Sequence, residues 1–201
     1  MHKGSLFIIS GPSGAGKGTI YNRVIAATDM KKSISVTTRK PRPGEVEGVH
    51  YYFRTEEQYQ QMIAAGEFLE TAEVHQNYYG TPKAPVFEYL ENGHDVLFDI
   101  DVNGAKSIKK KYPDAVGIFL MTPTWEILEQ RLRDRNTETE SSLKIRLSAA
   151  RRELSQYPLF DYIVFNDVLD VAVHEVLSII AAEKRKIKNN ISAIKKLLEE
   201  N

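Results

Sequence analysis

Residues 6–19, LFIISGPSGAGKGT, join a short apolar run to a glycine-rich segment that contains one lysine. A buried strand that ends in such a turn and opens into a helix forms a cradle for phosphate groups. Gly11, Gly14 and Gly16 can adopt positive φ and bring backbone N–H groups close to an anion. Residues 19–27 follow with helix-forming composition, so we prefer a cradle to a turn that only connects two elements. The stretch predicts a nucleoside triphosphate site in which Lys17 reaches the β- and γ-phosphates.

One position in this segment departs from the usual phosphate-loop sequence. Gly18 stands where a serine or threonine normally ligates Mg²⁺, and Thr19 comes one position later. We therefore expect Mg²⁺ to be held through phosphate oxygens and water, with Thr19 and Asp99 as the candidate protein contacts. Small nucleotide kinases often carry this GKGT form. The chain also lacks the Asn-Lys-x-Asp motif with which a phosphate-loop GTPase reads its base.

Composition and charge limit the classes of protein to which the chain can belong. The 201 residues suffice for one substantial core and a small inserted module. Basic and acidic residues balance at 27 each, so no overall positive field indicates a nucleic-acid partner. The absence of cysteine excludes disulfides, thiolate metal sites and cysteine nucleophiles. No apolar run approaches the roughly 20 residues that span a bilayer. We expect a cytoplasmic protein that binds neither nucleic acid nor membrane.

Apolar runs alternate with helical patterns along most of the chain. Near-continuous apolar strands separated by helices predict an α/β fold with a parallel sheet that helices cover on both faces. Ligands on such a sheet bind beyond the carboxyl ends of the strands, where Gly11 and Asp99 both fall. The predicted strands are residues 6–9, 96–100, 116–121 and 162–165. Beyond the helix-forming stretch at 19–27, the predicted helices are residues 85–91, 104–111, 124–133 and 141–154.

Three stretches depart from this alternation. Residues 35–82 predict short strands around one helix at 56–65, and thus an inserted module with its own surface. Residues 136–142 form a polar link between two arginine-bearing helices and are the candidate lid. After Glu183, apolar residues at helical spacing among lysines predict an amphipathic helix that docks on the body or on a partner chain. Those residues are Ile187, Ile191, Ile194 and Leu198.

The inserted module carries residues suited to a second phosphate. Arg39 and Arg42 lie on a segment that two prolines stiffen, and each guanidinium presents a planar fork to two phosphate oxygens. Tyr51 and Tyr79 supply hydroxyls that can complete the same site. Taken alone, the arginines fit a solvated basic turn equally well, and the tyrosines fit ordinary core or rim positions.

Carboxylates in the same region suit recognition of guanine. Glu70 precedes a predicted strand and Asp101 follows one. Guanine presents N1–H and its 2-amino group as adjacent donors, which a carboxylate accepts together, whereas the N1 lone pair of adenine would be repelled. Buried hydrogen bonds of this kind discriminate by about 10⁴ or more. Ser35 and Thr81 are hydroxyls that can contact the purine.

These segments occur in the order found in a known family. With SVTTRKPRPGE at 35–45, NYYG at 77–80, DID at 99–101 and the arginines near 135 and 146, the chain closely resembles guanylate kinase from about residue 5 to residue 184. The resemblance implies a phosphate-loop core at 1–34 and 83–201, an inserted GMP-binding domain at 35–82, and a helical lid at about 134–147. It implies ATP binding by Gly11, Pro12, Ser13, Gly14, Ala15, Gly16, Lys17, Gly18, Thr19 and Asn166, and GMP binding by Ser35, Arg39, Arg42, Tyr51, Glu70, Tyr79, Thr81, Asp99 and Asp101.

The activity implied by the resemblance is transfer of the γ-phosphoryl group from ATP to GMP, giving ADP and GDP with Mg²⁺ as the metal. Lys17, Arg39, Arg135 and Arg146 would surround the transferring group, and catalysis would consist mostly of positioning and charge neutralisation. Two other interpretations stay open: a non-enzymatic interaction module of the same fold, and a kinase for another phosphate acceptor. Use of dGMP and a homodimer through the tail are further expectations.

Overall fold

The computed structural model describes residues 3–74, 76–134 and 140–199. Along the chain its elements are β1 (Leu6–Ser10), α1 (Lys17–Ala26), β2 (Lys31–Lys32), β3 (Val36–Thr37), β4 (Tyr52–Phe53), α2 (Glu56–Ala64), β5 (Phe68–Val74), β6 (Asn77–Pro82), α3 (Lys83–Glu91), β7 (Val96–Asp99), α4 (Val102–Lys111), β8 (Val116–Met121), α5 (Trp125–Arg133), α6 (Glu140–Leu154), β9 (Tyr162–Phe165), α7 (Leu169–Arg185) and α8 (Ile191–Glu199).

The core of the fold is a five-stranded parallel sheet in the order β2-β7-β1-β8-β9. All residues of β1 and β8 are buried, as expected for strands that helices cover on both faces. The predicted strands and the parallel α/β class are confirmed. The two-residue strand β2 was not predicted, because Lys31 and Lys32 carry no apolar signal.

Residues 36–82 form a second, four-stranded sheet in the order β4-β3-β6-β5 with one helix, α2, packed on it. Helix α2 begins with a capping box, in which the Thr55 side chain accepts from the Gln58 backbone while the Gln58 side chain accepts from the Thr55 backbone. Tyr59 of this helix is fully buried and packs on Val36 and Phe68. The prediction of short strands around one helix is confirmed.

The register of the core sheet places the candidate phosphate loop beside the end of a neighbouring strand. Ile9 of β1 pairs with Asp99 of β7, so Gly11 and Asp99 emerge at the same edge of the sheet. Crevices beyond the carboxyl ends of parallel strands are the usual ligand sites of such sheets. The inserted sheet follows β2 directly, and its strand β5 contacts α4, which begins after β7.

The candidate lid begins after helix α5 in the chain, and its last residues belong to helix α6. The Arg151 guanidinium of α6 lies 4.5 Å from the ring centroid of Trp125 in α5, which joins the two helices. Helix α6 begins at Glu140, and the first part of the predicted link, residues 136–139, lies outside the described residues.

The tail differs from the expectation of one docked helix. Helix α7 extends to Arg185, Lys186 leaves the helical conformation, and α8 begins after a short 3₁₀ turn. Ile187 and Leu198 are 74% and 73% exposed, and Ile191 and Ile194 are exposed as well. Docking of this apolar stripe on the body of the same chain was therefore a wrong expectation, while docking on a partner stays a prediction. Across the described ranges, every helix is either too short or too polar to traverse a bilayer.

Candidate functional site

The loop between β1 and α1 has the backbone conformation that its glycines predict. Gly11, Gly14 and Gly16 have φ of +143°, +91° and +89°, a region that other residues rarely adopt. A Cβ atom at Gly11 would lie only 2.1 Å from the carbonyl oxygen of Leu120 in β8. Gly11 is therefore required by both its conformation and its close approach to the sheet.

Asn166, which follows β9, stabilises the conformation of this loop. Its side chain is buried and its Nδ2 donates to the carbonyl oxygen of Ala15 at 2.8 Å. A Cβ at Gly16 would approach Nδ2 to 2.2 Å, so Gly16 and Asn166 fit together only because the glycine has no side chain. Asn166 was expected to border the adenine, and that contact stays a prediction.

Lys17 folds back on the loop in this structure. Its Nζ donates to the carbonyl oxygens of Gly11 at 2.6 Å and Pro12 at 3.1 Å. These oxygens keep the ammonium group at the mouth of the cradle, where an arriving phosphate can exchange for them. The position fits the predicted role of a cation that contacts the terminal phosphates.

A depression of about 320 Å³ opens beside the loop. Arg131 of α5 lies in it and donates to the carbonyl oxygen of Asn166 at 3.0 Å, whereas Arg133 pairs with Glu129 on the outer face of the helix at 2.7 Å. Arg131 therefore faces this depression, whereas Arg133 points away from it. The depression is lined by Gly14, Gly16, Thr19, Arg131, Asn166, Asp167 and Leu169.

On the inserted module, Arg39 is held in place by a carboxylate. Its Nη2 donates to both oxygens of Glu45, at 2.8 and 3.0 Å, and its guanidinium lies 5.5 Å from the ring centroid of Tyr51. The rings of Tyr51 and Tyr79 meet edge to face at 6.0 Å. Glu45, and after it Tyr79, raise the pKa of Arg39 above its ordinary value. Three of the four predicted phosphate contacts therefore form one cluster.

Arg42 belongs to the same loop but extends into solvent. Its backbone N–H donates to Glu45 at 2.7 Å, so Glu45 fixes both ends of the segment between the two arginines. Sequence reasoning assigned no role to Glu45. The signal was present, because a carboxylate six residues after one arginine and three after another can bridge a tight loop.

The predicted base-reading carboxylates, Glu70 of the module and Asp101 of the core, lie close to each other. Glu70 is 5% exposed and its Oε1 accepts from the hydroxyl of the fully buried Thr81 at 2.7 Å. Burial, together with the nearby charge of Asp101, raises the pKa of Glu70 to about 7 against the opposing effect of Thr81. Asp101 caps α4 by accepting from the Gly104 N–H at 2.7 Å.

Gly104 lies between these two carboxylates. A Cβ at this position would approach Glu70 Oε2 to 3.0 Å and Asp101 Oδ1 to 3.4 Å. The glycine therefore keeps open the space between the acceptors. Two carboxylates and a hydroxyl around an open space suit a ligand edge with adjacent N–H donors.

A cleft of about 260 Å³ brings residues of the core and of the module together. The predicted Ser35, Tyr51 and Asp99 all line it, alongside Glu45 and Gly18. Lys32 was missed: it donates to the carbonyl oxygen of Val49 at 3.2 Å and thereby links β2 to the module. The remaining lining residues are Tyr21, Asn22, Ser33 and His50.

The two positions that bear on the metal, Gly18 and Asp99, both line this cleft. A Cβ at Gly18 would lie 3.9 Å from Asp99 Oδ2, so the glycine faces the carboxylate across open space. Desolvation raises the pKa of Asp99, and Lys17 and Lys32 oppose that effect. Thr19 lies in the other depression, with Arg131. Among the described residues no three potential ligands cluster closely enough to hold a metal unaided, so phosphates and water would have to complete its coordination.

The lid arginines are described only in part. Arg146 lies half-buried on α6, one residue before Leu147, which packs on the core. Arg135 lies outside the described residues. A carboxylate that sequence reasoning missed, Glu153, lies two turns after Arg146 on the same helix and interacts electrostatically with Lys17 and Asp101.

Comparison with known proteins shows the family of the chain. The family model for guanylate kinase matches residues 3–183. Guanylate kinases of Carboxydothermus hydrogenoformans and Clostridioides difficile are 48% and 47% identical to this chain; the matches cover 94% and 92% of it and 93% and 91% of theirs. The crystal structure of guanylate kinase from Anaplasma phagocytophilum covers 92% of this chain and 89% of its own, with a TM-score of 0.76 and 30% identity. The chain therefore belongs to the guanylate kinase family.

Proposed function

We propose that this protein transfers the γ-phosphoryl group of ATP to GMP and releases ADP and GDP. The observation that carries the proposal is the pairing of two sites across one cleft. A glycine cradle with Lys17 lies on one side, and a cluster of Arg39, Tyr51 and Tyr79 that leads to buried Glu70 lies on the other. One side suits a triphosphate, and the other suits a guanine nucleotide with a single phosphate.

On the donor side, the backbone N–H groups of residues 11–19 would cradle the ATP phosphates, with Lys17 on the terminal ones. Asn166 would maintain the loop conformation through its bond to Ala15, and Arg131 of α5 would approach the nucleotide. The adenine would lie toward the depression that Thr19 and Asn166 line.

On the acceptor side, Arg39, Arg42, Tyr51 and Tyr79 would bind the GMP phosphate, since two guanidiniums and two hydroxyls match its oxygens. Glu45 pairs with the Arg39 fork and would keep this guanidinium oriented toward GMP. Glu70 and Asp101 would accept the guanine N1–H and 2-amino protons, while Ser35 and Thr81 complete the polar lining. Asp99 would lie between the two nucleotides.

Phosphoryl transfer here requires no covalent intermediate and no strong base, because the attacking oxygen belongs to a phosphate that is already anionic near neutral pH. The protein positions the two nucleotides in line and offsets charge with Lys17, Arg39, Arg135 and Arg146. Mg²⁺ would supply further neutralisation of the phosphate charge. Asp99, with Thr19 as the other candidate, is the residue we assign to its water shell.

We also infer how the chain is organised around this reaction. Residues 1–34 and 83–201 would form the ATP-binding core, residues 35–82 the GMP-binding domain, and about 134–147 the lid. The two separate sheets support the division between core and insertion. Closure of the insertion and the lid over both nucleotides would exclude water and limit ATP hydrolysis.

The remaining partners follow from the same site. We propose that dGMP is also an acceptor, because the residues assigned to GMP are directed at its base and phosphate. A homodimer through the exposed stripe of the tail would cover apolar surface and stabilise α8, which is too short to be a stable helix by itself. We place the activity in the cytoplasm and expect neither nucleic acid nor membrane as a partner.

Phosphorus NMR of ATP, GMP, Mg²⁺ and protein in one tube tests the reaction itself. The account predicts that ADP and GDP resonances grow at equal rates while ATP and GMP decline together. Lys17→Ala should slow this conversion by about 10² or more, as expected for loss of a preorganised cation. Release of inorganic phosphate in place of GDP would contradict transfer to GMP.

A further inference from the structure

Strand β5 is irregular at the point where it carries the carboxylate assigned to the base. Phe68 of β5 pairs with Pro82 of β6. The next pair joins Glu70 to Thr81, so Leu69 falls between the two pairs and is the extra residue of a β-bulge. A bulge bends its strand and redirects the side chains beside it. The direction of the Glu70 side chain therefore depends on how this bulge is held.

The bulge takes a hydrogen-bond donor from outside its own sheet. On β6, Pro82 has no N–H group, and the backbone N–H of Thr81 donates to the Glu70 carboxylate. Leu69 is fully buried, so its carbonyl oxygen would be costly to leave without a donor. Nζ of Lys111, the last residue of α4, donates to this oxygen at 2.6 Å.

Helix α4 presents one of its faces to the bulge. Gly104, Ile108 and Lys111 are spaced four and three residues apart and lie along one side of the helix. A Cβ at Gly104 would approach Glu70 Oε2 to 3.0 Å, and Ile108 belongs to the same buried core cluster as Leu69. This face therefore meets the carboxylate at one end of the helix, the Leu69 side chain in the middle, and the Leu69 carbonyl group at the other end.

The charge of Lys111 acts on Glu70 as well. Burial raises the pKa of Glu70, and Asp101 adds to that effect. The hydrogen bonds from Thr81 and the positive charge of Lys111 oppose it. Tyr59 of α2 interacts with Glu70 too, but burial raises the pKa of Tyr59 to about 12, so this residue is neutral near pH 7. Lys111 thus favours the ionised carboxylate against the effect of Asp101.

We propose that Lys111 is a positioning residue for guanine recognition, which fixes the bulge at Leu69 on α4 and thereby orients the Glu70 carboxylate toward the base. The inference rests on the proposed guanine site, and it adds a residue that acts through Glu70 and not by contact with the base. Because α4 belongs to the core and β5 to the insertion, the bond also joins the base site to the core.

Initial rates with GMP at two pH values test this role. Lys111→Met keeps an apolar stem of similar length and removes the ammonium group. We expect it to raise the KM for GMP about threefold at pH 8, where the bond to Leu69 is lost, and about tenfold at pH 6, where loss of the positive charge also favours protonated Glu70. The kcat and the KM for ATP should change little.

Two further variants separate this role from a general effect on the fold. Lys111→Arg retains a donor and a positive charge and should recover most of the GMP affinity at both pH values. Lys110→Met makes the same change at the exposed neighbouring lysine of α4 and should leave the KM for GMP unchanged.

Three results would overturn the inference while the guanine site stands. They are an unchanged KM for GMP in folded Lys111→Met, a rise by the same factor at both pH values, and an equal rise in the KM for ATP. Equal kcat/KM for GMP and AMP in the unmodified protein would overturn the guanine site and the inference together.

Discussion

Glu70 is the residue to which we assign base recognition, because it is a buried carboxylate that accepts hydrogen bonds from the hydroxyl and the backbone of Thr81. On our proposal, guanine binds the ionised form, which accepts two hydrogen bonds. Burial opposes ionisation and raises the pKa of Glu70 to about 7. The same burial that gives discrimination therefore makes recognition sensitive to pH.

We expect the KM for GMP to rise about tenfold between pH 8 and pH 6, because the ionised fraction of a group with a pKa of about 7 falls by that factor. Initial rates at saturating ATP measure it. The GMP phosphate titrates in the same range, so Glu70→Gln is the control: it keeps the phosphate titration and lacks the carboxylate. An equal rise in both proteins would show that Glu70 does not titrate in this way.

The stability of the fold should decrease as pH rises, whereas affinity for GMP should increase. The pKa of Glu70 is higher in the folded protein than its ordinary value of 4.5, so its contribution is fully present below pH 4.5 and is lost as pH rises through 7. Glu70→Gln should therefore gain stability relative to the unmodified protein at pH 8 and not at pH 4. Chemical denaturation at the two pH values distinguishes this outcome from a uniform shift.

Arg42 is the other informative residue at this scale. Arg42 is exposed, so its removal should leave the fold intact. We expect Arg42→Ala to raise the KM for GMP about 10- to 100-fold, the effect of losing charge-assisted hydrogen bonds to phosphate. ATP affinity should remain nearly unchanged. Equal losses for both nucleotides, measured by calorimetry, would contradict the assignment.

At the scale of elements, the phosphate loop depends on a contact that the sequence does not reveal. Strand, loop and helix follow from residues 6–27, because apolar residues, glycines and helix formers are adjacent there. The fit between Gly16 and Asn166 joins residues far apart in the chain, and periodicity carries no information about it. Lys32 was missed for the same reason, since its bond to the carbonyl oxygen of Val49 forms only in the folded protein.

Gly16→Ala tests this element. The added Cβ would approach Asn166 Nδ2 to 2.2 Å and displace the side chain that supports Ala15. We expect the KM for ATP to rise at least tenfold, with a loss of stability of about 1–3 kcal/mol from the strained φ. Steady-state kinetics and thermal unfolding measure the two effects.

Gly66→Ala is the matched control for that substitution. Gly66 has a φ of +66°, and within the described parts of the chain no atom lies within 4 Å of a Cβ at this position. It shares the backbone strain of Gly16→Ala without the contact, so it should lose stability and keep its KM for ATP. A normal KM in Gly16→Ala would show that the Asn166 contact is dispensable.

For the whole molecule, the sequence predicted the parallel core and the insertion but not the path of the tail. Helical spacing from Ile187 to Leu198 indicated one helix, whereas Ile187 lies in a 3₁₀ turn and the α-helix begins only at Ile191. Periodicity reports which residues share a face and not where a helix ends. The exposed stripe that results is the surface we assign to a homodimer.

Ile194→Asp should dissociate that dimer, because it places a charge in the middle of the exposed stripe of α8. Sedimentation equilibrium of the unmodified protein and the variant at equal concentration measures the change. Ser192→Asp adds the same charge to the same helix outside the apolar spacing and should leave the dimer intact. A monomeric unmodified protein across the micromolar range would refute the dimer and leave the catalytic account unaffected.

The most direct test of the central claim compares acceptors. Initial rates of ADP formation with GMP, AMP, CMP and UMP at fixed MgATP give kcat/KM for each, in the unmodified protein and in Glu70→Gln. The account predicts that GMP exceeds AMP by about 10⁴, the discrimination expected of buried hydrogen bonds, and that Glu70→Gln reduces this ratio mainly by losing GMP. Comparable rates with AMP and GMP, or no turnover of any acceptor by the folded protein, would contradict it.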